Sequence, residues 1–548
     1  MLKKIYQPPG FSQRTFAAAC GGNYENKGLV IGAYDGCNPG ELRFTPAAKN
    51  YDEQESAGML SQLLKGSHVV KLGNAQVFSN LRGDFYSVAV AGLGMEGIGV
   101  VEDESIDQCK ENIRIAAASG ALALQETGIN KIFVEMFTNA EAAAEGATLA
   151  TWRYQDLKST TPIHPVTLLE LYNSSDVEGW QRGTIKAECQ NWARRLEESP
   201  GNLLTPNLFA QACIEKLCPC GIQVEVHDRV WIESKNMFAL LNLASGSCEE
   251  PLVLEVNYCG ANPNDKPIAL IGKGVTFDTG AVCLKKCKGM PKYRGDMSGA
   301  AVICAAMRSI AQMAIPINIR AFIPLMENMM GGSTTRPGDV LVALNKKTVR
   351  LTSTGNEGRV LLIDPLFYSQ VNQPCLVVTV ASLTDQVNRG LGQGATAAFS
   401  TSDDVWRELN LAGLETGDRF WRLPFWNYYT RQVTGKKNHL ELTYVMLVEP
   451  MKEKPVWLQL FFFNSHLRAL TSCTWTSLVR DLYRMEYSCP TSEKDSCRGD
   501  RREAWYSSST RSPVLTRERR MRVDKKNNLK KTKKNNNVTV TRLLSFIH

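Results

Sequence analysis

From Gly28 to about Tyr172, short apolar runs alternate with segments whose apolar positions recur at helical spacing. Val88–Leu93 (VAVAGL) and Lys131–Met136 (KIFVEM) predict buried strands, and the Ala-rich stretch from Asp107 to Gly128 predicts a helix between them. Such alternation predicts an α/β layer structure. Asn173–Trp192 is polar and marks the expected domain boundary. The pattern then resumes: Ala269–Val275 (ALIGKGV), Ile319–Pro324 and Cys375–Ser382 predict central strands. Ser298–Met313, with small residues on one face, predicts a helix that packs closely on a sheet. The fold class is therefore α/β in two domains. A smaller N-terminal α/β domain is expected over 21–180, and a C-terminal α/β domain over 190–442 whose mixed sheet is mostly parallel at its centre.

Composition adds limits. The 548 residues contain no run of eighteen apolar residues, so no membrane span is expected. The net charge of +8 invites a nucleic-acid reading, but its distribution opposes one. From Arg480 onward there are 18 Lys/Arg against 8 Asp/Glu, so the preceding residues are slightly acidic overall. A folded body without a basic face is not expected to bind nucleic acid. The sixteen cysteines are scattered, and Cys218 and Cys220 lack a second pair, which predicts reduced thiols rather than a disulfide framework or a zinc knuckle. Residues 1–20 hold Lys3, Lys4 and Arg14 with no acid before Glu25, the composition of a mitochondrial targeting segment, although Pro8-Pro9-Gly10 interrupts an amphipathic helix. Mitochondrial and cytoplasmic locations both stay open.

Three segments carry the candidate chemistry. The first is Gly272-Lys273-Gly274-Val275-Thr276-Phe277-Asp278-Thr279-Gly280, continuing to Leu284-Lys285; the second is Arg294-Gly295-Asp296-Met297-Ser298-Gly299, opening the small-residue helix. The third is Thr352-Ser353-Thr354-Gly355-Asn356-Glu357-Gly358-Arg359, expected to open a helix holding Leu361 and Leu362. All three are expected at strand ends, where open α/β sheets gather ligands. Clustered carboxylates repel, and they stay ionised together when cations neutralise them; two divalent ions about 3–4 Å apart would do so. A lysine ligates only when deprotonated, a state that burial beside metal charge favours and that suits Lys273. Lys285 is suited to polarise a carbonyl oxygen and Arg359 to hold an anion.

In order and spacing, this set resembles the leucyl aminopeptidase (cytosol aminopeptidase) family of metallopeptidases, whose signature reads N-T-D-A-E-G-R-L. The resemblance runs from about Gly28 to Leu440 and is most specific between Ile271 and Leu366. Tyr24–Tyr34 and the region around Phe420–Tyr429 are similar to the insect sperm-type members. The resemblance implies a catalytic domain over 190–442, with metal ligation by Lys273, Asp278, Asp296 and Glu357 and catalytic roles for Lys285 and Arg359. It also implies two zinc or manganese ions, a bicarbonate near Arg359, a peptide substrate attacked at its first carbonyl by a metal-activated hydroxide, release of Leu-like N-terminal residues, and a homohexamer.

Two departures qualify it. The signature here reads S-T-G-N-E-G-R: Ser353 replaces Asn, and Gly355 stands where the family has a metal-binding Asp. Losing an anionic donor predicts a weak second metal and impaired activity. Beyond about Leu442 the family's closing features vanish, and 443–548 reads as an aberrant basic tail. Codons can be chosen from Leu467 through Trp505 so that the frame starting on each codon's last nucleotide ends in GRPTRSL, a family ending. A shifted frame after about Leu442 is therefore expected, with Asp524–Asn537 resembling translated A-rich untranslated sequence and sheet edges left bare. Two functions follow: a metalloaminopeptidase, favoured by the six chemistry-bearing residues, or an inactive, oligomer-forming structural paralogue of sperm mitochondria, favoured by Gly355.

Overall fold

The computed structural model describes residues 26–429, apart from 39–40, 67–69, 82, 160–162 and 385, together with the backbone of a strand at Gln459–Phe463. The side chains of 356, 357 and 386 are not among those described. The chain divides into two compact units, Met1–Val101 with Asp107–Glu188, and Glu102–Ile106 with Cys189–His548. The division between Glu188 and Cys189 falls within the polar stretch expected as a boundary, inside a 22-residue helix, Val177–Glu198.

In the first unit, Lys27–Asp35 lies between Ser87–Gly94 and Lys131–Glu135, parallel to both, and Lys131–Glu135 runs parallel to Leu168–Tyr172. Ala75–Ser79 and Leu42–Phe44 add antiparallel pairs. Alternate residues of the central strand enter different cores: Leu29, Ile31 and Ala33 pack with Tyr51, Leu60 and Phe85, whereas Val30 packs with Ala116, Ala117 and Leu124 of the helix Gln108–Glu126. Both faces are covered, as a parallel sheet requires.

The second unit holds a nine-stranded mixed sheet. Ile268–Gly272 is flanked by parallel strands Leu376–Ala381 and Asn318–Asn328, and every residue of Ile268–Gly272 and Leu376–Ala381 is buried. Leu252–Cys259 and Gln223–His227 continue the sheet antiparallel on one side. On the other, Gln459–Phe463 pairs parallel with Leu376–Ala381 and antiparallel with Thr396–Phe399. The tail thus supplies a strand beside Leu376–Ala381, where bare edges were expected; the remainder of that tail, and the targeting segment at 1–20, lie outside the described residues. The small-residue helix forms over Ser298–Gln312. Its glycine explains the close packing, since a Cβ on Gly299 would sit 2.2 Å from the Val380 carbonyl oxygen. The helix N-terminus is thereby brought onto the strand ends that bear Lys273 and Ser382.

Candidate metal centre

Lys273 occupies the break between Ile268–Gly272 and Gly274–Asp278. Its N–H donates to Val380 O at 3.0 Å, and its carbonyl accepts from Ala300 N at 3.0 Å, so sheet and helix hold the residue from opposite sides. The side chain turns inward and is nearly buried, at 4% exposure. Its Nζ donates to Asp296 Oδ1 at 2.6 Å and to Ser382 O at 2.8 Å. Gly358 permits this, because a Cβ there would lie 2.8 Å from Lys273 Cε and 2.9 Å from Nζ.

Asp278 ends its strand pointing into the same space. Its Oδ1 accepts from Gly280 N at 2.8 Å and Asn328 Nδ2 at 2.7 Å, and its Oδ2 accepts from Lys285 Nζ at 2.6 Å. Gly280 (φ 85°) and Ala281 (φ 52°) turn the chain through left-handed conformations. Lys285 N then donates to Thr279 O, which returns Lys285 to Asp278. Lys285 Nζ also donates to Gly355 O at 3.1 Å and lies 3.9 Å from the Tyr293 ring centroid.

Asp296, 8% exposed, precedes the helix Ser298–Gln312. Its Oδ1 accepts from Lys273 Nζ and, at 2.7 Å, from Ser382 Oγ, while its Oδ2 is buried without a hydrogen-bond partner. Burial drives its pKa up; Lys273 pulls against that, and the Asp278 charge adds to it. An orphaned buried carboxylate oxygen costs free energy unless something positive completes it. Lysine amines meet only Asp296 Oδ1 and Asp278 Oδ2, so Asp296 Oδ2 is left as a buried donor for an incoming cation. The residues present fit a divalent metal.

The third segment forms the expected helix holding Leu361 and Leu362, with 3-10 geometry over Thr354–Leu362, and it follows the short hairpin strand Thr348–Arg350 rather than a strand of the main sheet. The second segment also sits at a helix start rather than a strand end, so only the first is where open-sheet reasoning places all three. Thr354 ties the third segment to the first: its hydroxyl donates to Gly280 O at 2.8 Å and accepts from Cys283 N at 2.9 Å. The Cys283 thiol is held below its usual pKa, chiefly by its contact with the Thr354 side chain. Gly355 turns its carbonyl to Lys285, and Arg359 Nη2 donates to Leu383 O at 3.3 Å. Glu357 lies within this 3-10 helix; its side chain is not among those described.

Lys273, Asp278, Lys285, Asp296, Gly355 and Arg359 line one cavity of about 630 Å³. Sequence reasoning missed Asn328, Ser382 and Thr354. Asn328 and Ser382 close mostly apolar strand runs and Thr354 lies in the polar run Thr352-Ser353-Thr354, so spacing marks none of them out.

Buried acids paired with amines, one oxygen unsatisfied and a roomy cavity in front, fit a divalent cation. The profile of the cytosol aminopeptidase family catalytic domain matches residues 191–445, and that of its N-terminal domain matches 30–161. The cytosol aminopeptidase of Bos taurus is 41% identical over 411 residues, covering 74% of this chain and 79% of that protein. That of Homo sapiens is 40% identical over the same span, and that of Dictyostelium discoideum 33% over 426 residues. Among solved structures, the bottromycin maturation enzyme BotP in complex with Mn superposes with a TM-score of 0.68 at 24% identity, covering 84% of this chain and 99% of that one, a likeness of fold. The chain belongs to the cytosol aminopeptidase family, a family of metal-dependent aminopeptidases acting on peptides.

Proposed function

We propose that this chain removes Leu-like N-terminal residues from peptides in the cavity between Lys273 and Arg359. The observation that carries the reading is the meeting of Lys273, Asp278 and Asp296 around an unsatisfied carboxylate oxygen, with Lys285 beside them. Lys273, Asp278, Asp296 and Glu357 would hold zinc or manganese, and such ions supply a Lewis acid and an activated water. Lys285 is aimed by Asp278 and the Gly355 carbonyl, so its ammonium hydrogens are directed before substrate arrives and can polarise a peptide carbonyl. Arg359, at the cavity wall, suits an anion such as bicarbonate.

Gly355 weakens the second metal, leaving one tight site and one loose one. There is room for the lost group: a Cβ at Gly355 would meet Cys283 O at 3.3 Å, Ser353 Oγ at 3.7 Å and Cys283 Cβ at 3.8 Å, and its φ is not left-handed. That glycine also favours the second reading, an inactive, oligomer-forming paralogue of sperm mitochondria. Assaying a leucine chromogenic amide with added manganese separates the two. Turnover above background supports the enzyme; none in a folded, full-frame protein favours the paralogue. We further propose a mitochondrial or cytoplasmic location, closest kinship with insect sperm-type members, and a homohexamer once the frame beyond about Leu442 is intact. The domains span 21–180 and 190–442 on this account, and sequencing the transcript tests the frame: an unshifted message encoding the present tail would refute it.

A further inference from the structure

We infer that the cavity selects peptides carrying carboxylates beyond their N-terminal residue, an inference that rests on the aminopeptidase reading. The charges are layered. Asp278 and Asp296, at 4% and 8% exposure, lie deep and are already committed to Lys285 and Lys273. Among the described residues the lining adds Lys286, Lys288, Lys292 and Arg389, all exposed, and one further acid, Glu197; the Glu357 side chain and residue 385 lie outside the described residues. Among the described residues none of those four cations has an acid within 4 Å, so their field is directed at whatever enters. Three of them come from one short stretch, Lys286-Cys287-Lys288-Gly289-Met290-Pro291-Lys292. This stretch is held in shape by Met290 N donating to Cys287 O, Lys292 N donating to Gly289 O and the 3-10 helix Met290–Gly295.

A cavity walled by low-dielectric protein focuses such a field and concentrates ligands of opposite sign. The layering matches a ligand that carries negative charge at the cavity mouth, away from the buried acids. Bound divalent ions would add to the positive potential rather than cancel it. The recognised group is a carboxylate, from either an acidic side chain or the end of a short peptide.

The test uses the full chain and four tripeptides: amidated Leu-Asp-Asp, Leu-Ala-Ala and Leu-Lys-Lys, and Leu-Ala-Ala as the free acid. Binding to the metal-free protein is measured by calorimetry and turnover with added manganese. Amidated Leu-Asp-Asp should bind about 10-fold tighter than amidated Leu-Ala-Ala at low salt, and the gap should shrink at high salt, where exposed charges are screened. Lys286→Gln/Lys288→Gln/Lys292→Gln should erase the gap and the corresponding arginine triple variant should keep it; all three side chains are exposed, so neither should disturb the fold. A gain confined to the free acid assigns the recognition to the peptide's own terminus. Equal affinity for all four, a preference for Leu-Lys-Lys, or a preference surviving the glutamine variant would overturn the inference. Selective binding without turnover upholds this inference while refuting the hydrolase reading; turnover without selectivity does the reverse.

Discussion

Each unit buries carboxylates, and two of these sites, Glu135 in the first unit and the Asp278–Asp296 pair in the second, are built differently. In the first unit Glu135, 2% exposed, accepts from Gly32 N at 3.0 Å and Thr45 Oγ1 at 2.8 Å, with no cation within 4 Å among the described residues. Burial pushes its pKa from the ordinary 4.5 up to about 7. In the second unit Asp278 and Asp296 each meet a lysine Nζ at 2.6 Å, and Asp296 keeps a buried oxygen unmatched. Glu135 ties together Gly32 and Thr45, the cap of the helix Pro46–Gln54. The aspartates are arranged for a ligand not yet counted. A buried acid therefore signals function when its surroundings leave it incomplete, not merely when its pKa is displaced.

This contrast can be broken by substitution. Lys285→Met should lower kcat about 100- to 1,000-fold with little loss of bound metal, as removal of one oriented donor does; an unchanged kcat would remove Lys285 from the chemistry. Gly355→Asp should tighten the second metal site about 10- to 100-fold and raise activity with it, the scale on which supporting groups act at metal centres; unaltered metal binding would locate the fault elsewhere. Glu135→Gln should leave kcat and metal content unchanged.

The same glutamate sharpens the contrast through pH. Its folded pKa lies above its unfolded value, so between about pH 4.5 and 7 the folded state binds more protons and stability falls as pH rises. The loss is complete above about pH 7 and is on the order of 3 kcal/mol. Denaturant unfolding should show that decline in the parent chain and a flatter profile in Glu135→Gln. Equal slopes would mean that Glu135 is not held as described.

Much of this organisation is legible in the sequence because packing writes it in period and composition. Ala269–Val275 and Cys375–Ser382 are apolar because both faces of those strands are covered. Lys273 stands out because glycines flank it where backbones approach closely: a Cβ on Gly272 would meet Ala300 Cα at 2.8 Å and one on Gly274 Pro324 O at 2.4 Å. The break that splits ALIGKGV into two strands at Lys273 is not legible, since it depends on neighbours distant in the chain. The same holds for Asn328 and Ser382, whose roles arise only when strand ends converge. The 3-10 geometry of Thr354–Leu362 escaped because its fixing contacts, from Gly280 and Cys283, lie some seventy residues earlier.

The central claim is that the incomplete acids of the second unit hold divalent metal. Counting bound zinc or manganese per subunit after exhaustive dialysis, in the parent chain and in Asp296→Asn, tests it most directly. One tightly held ion in the parent and none in the variant is the predicted result. No bound ion in the parent, or an equal count in both, would contradict the account.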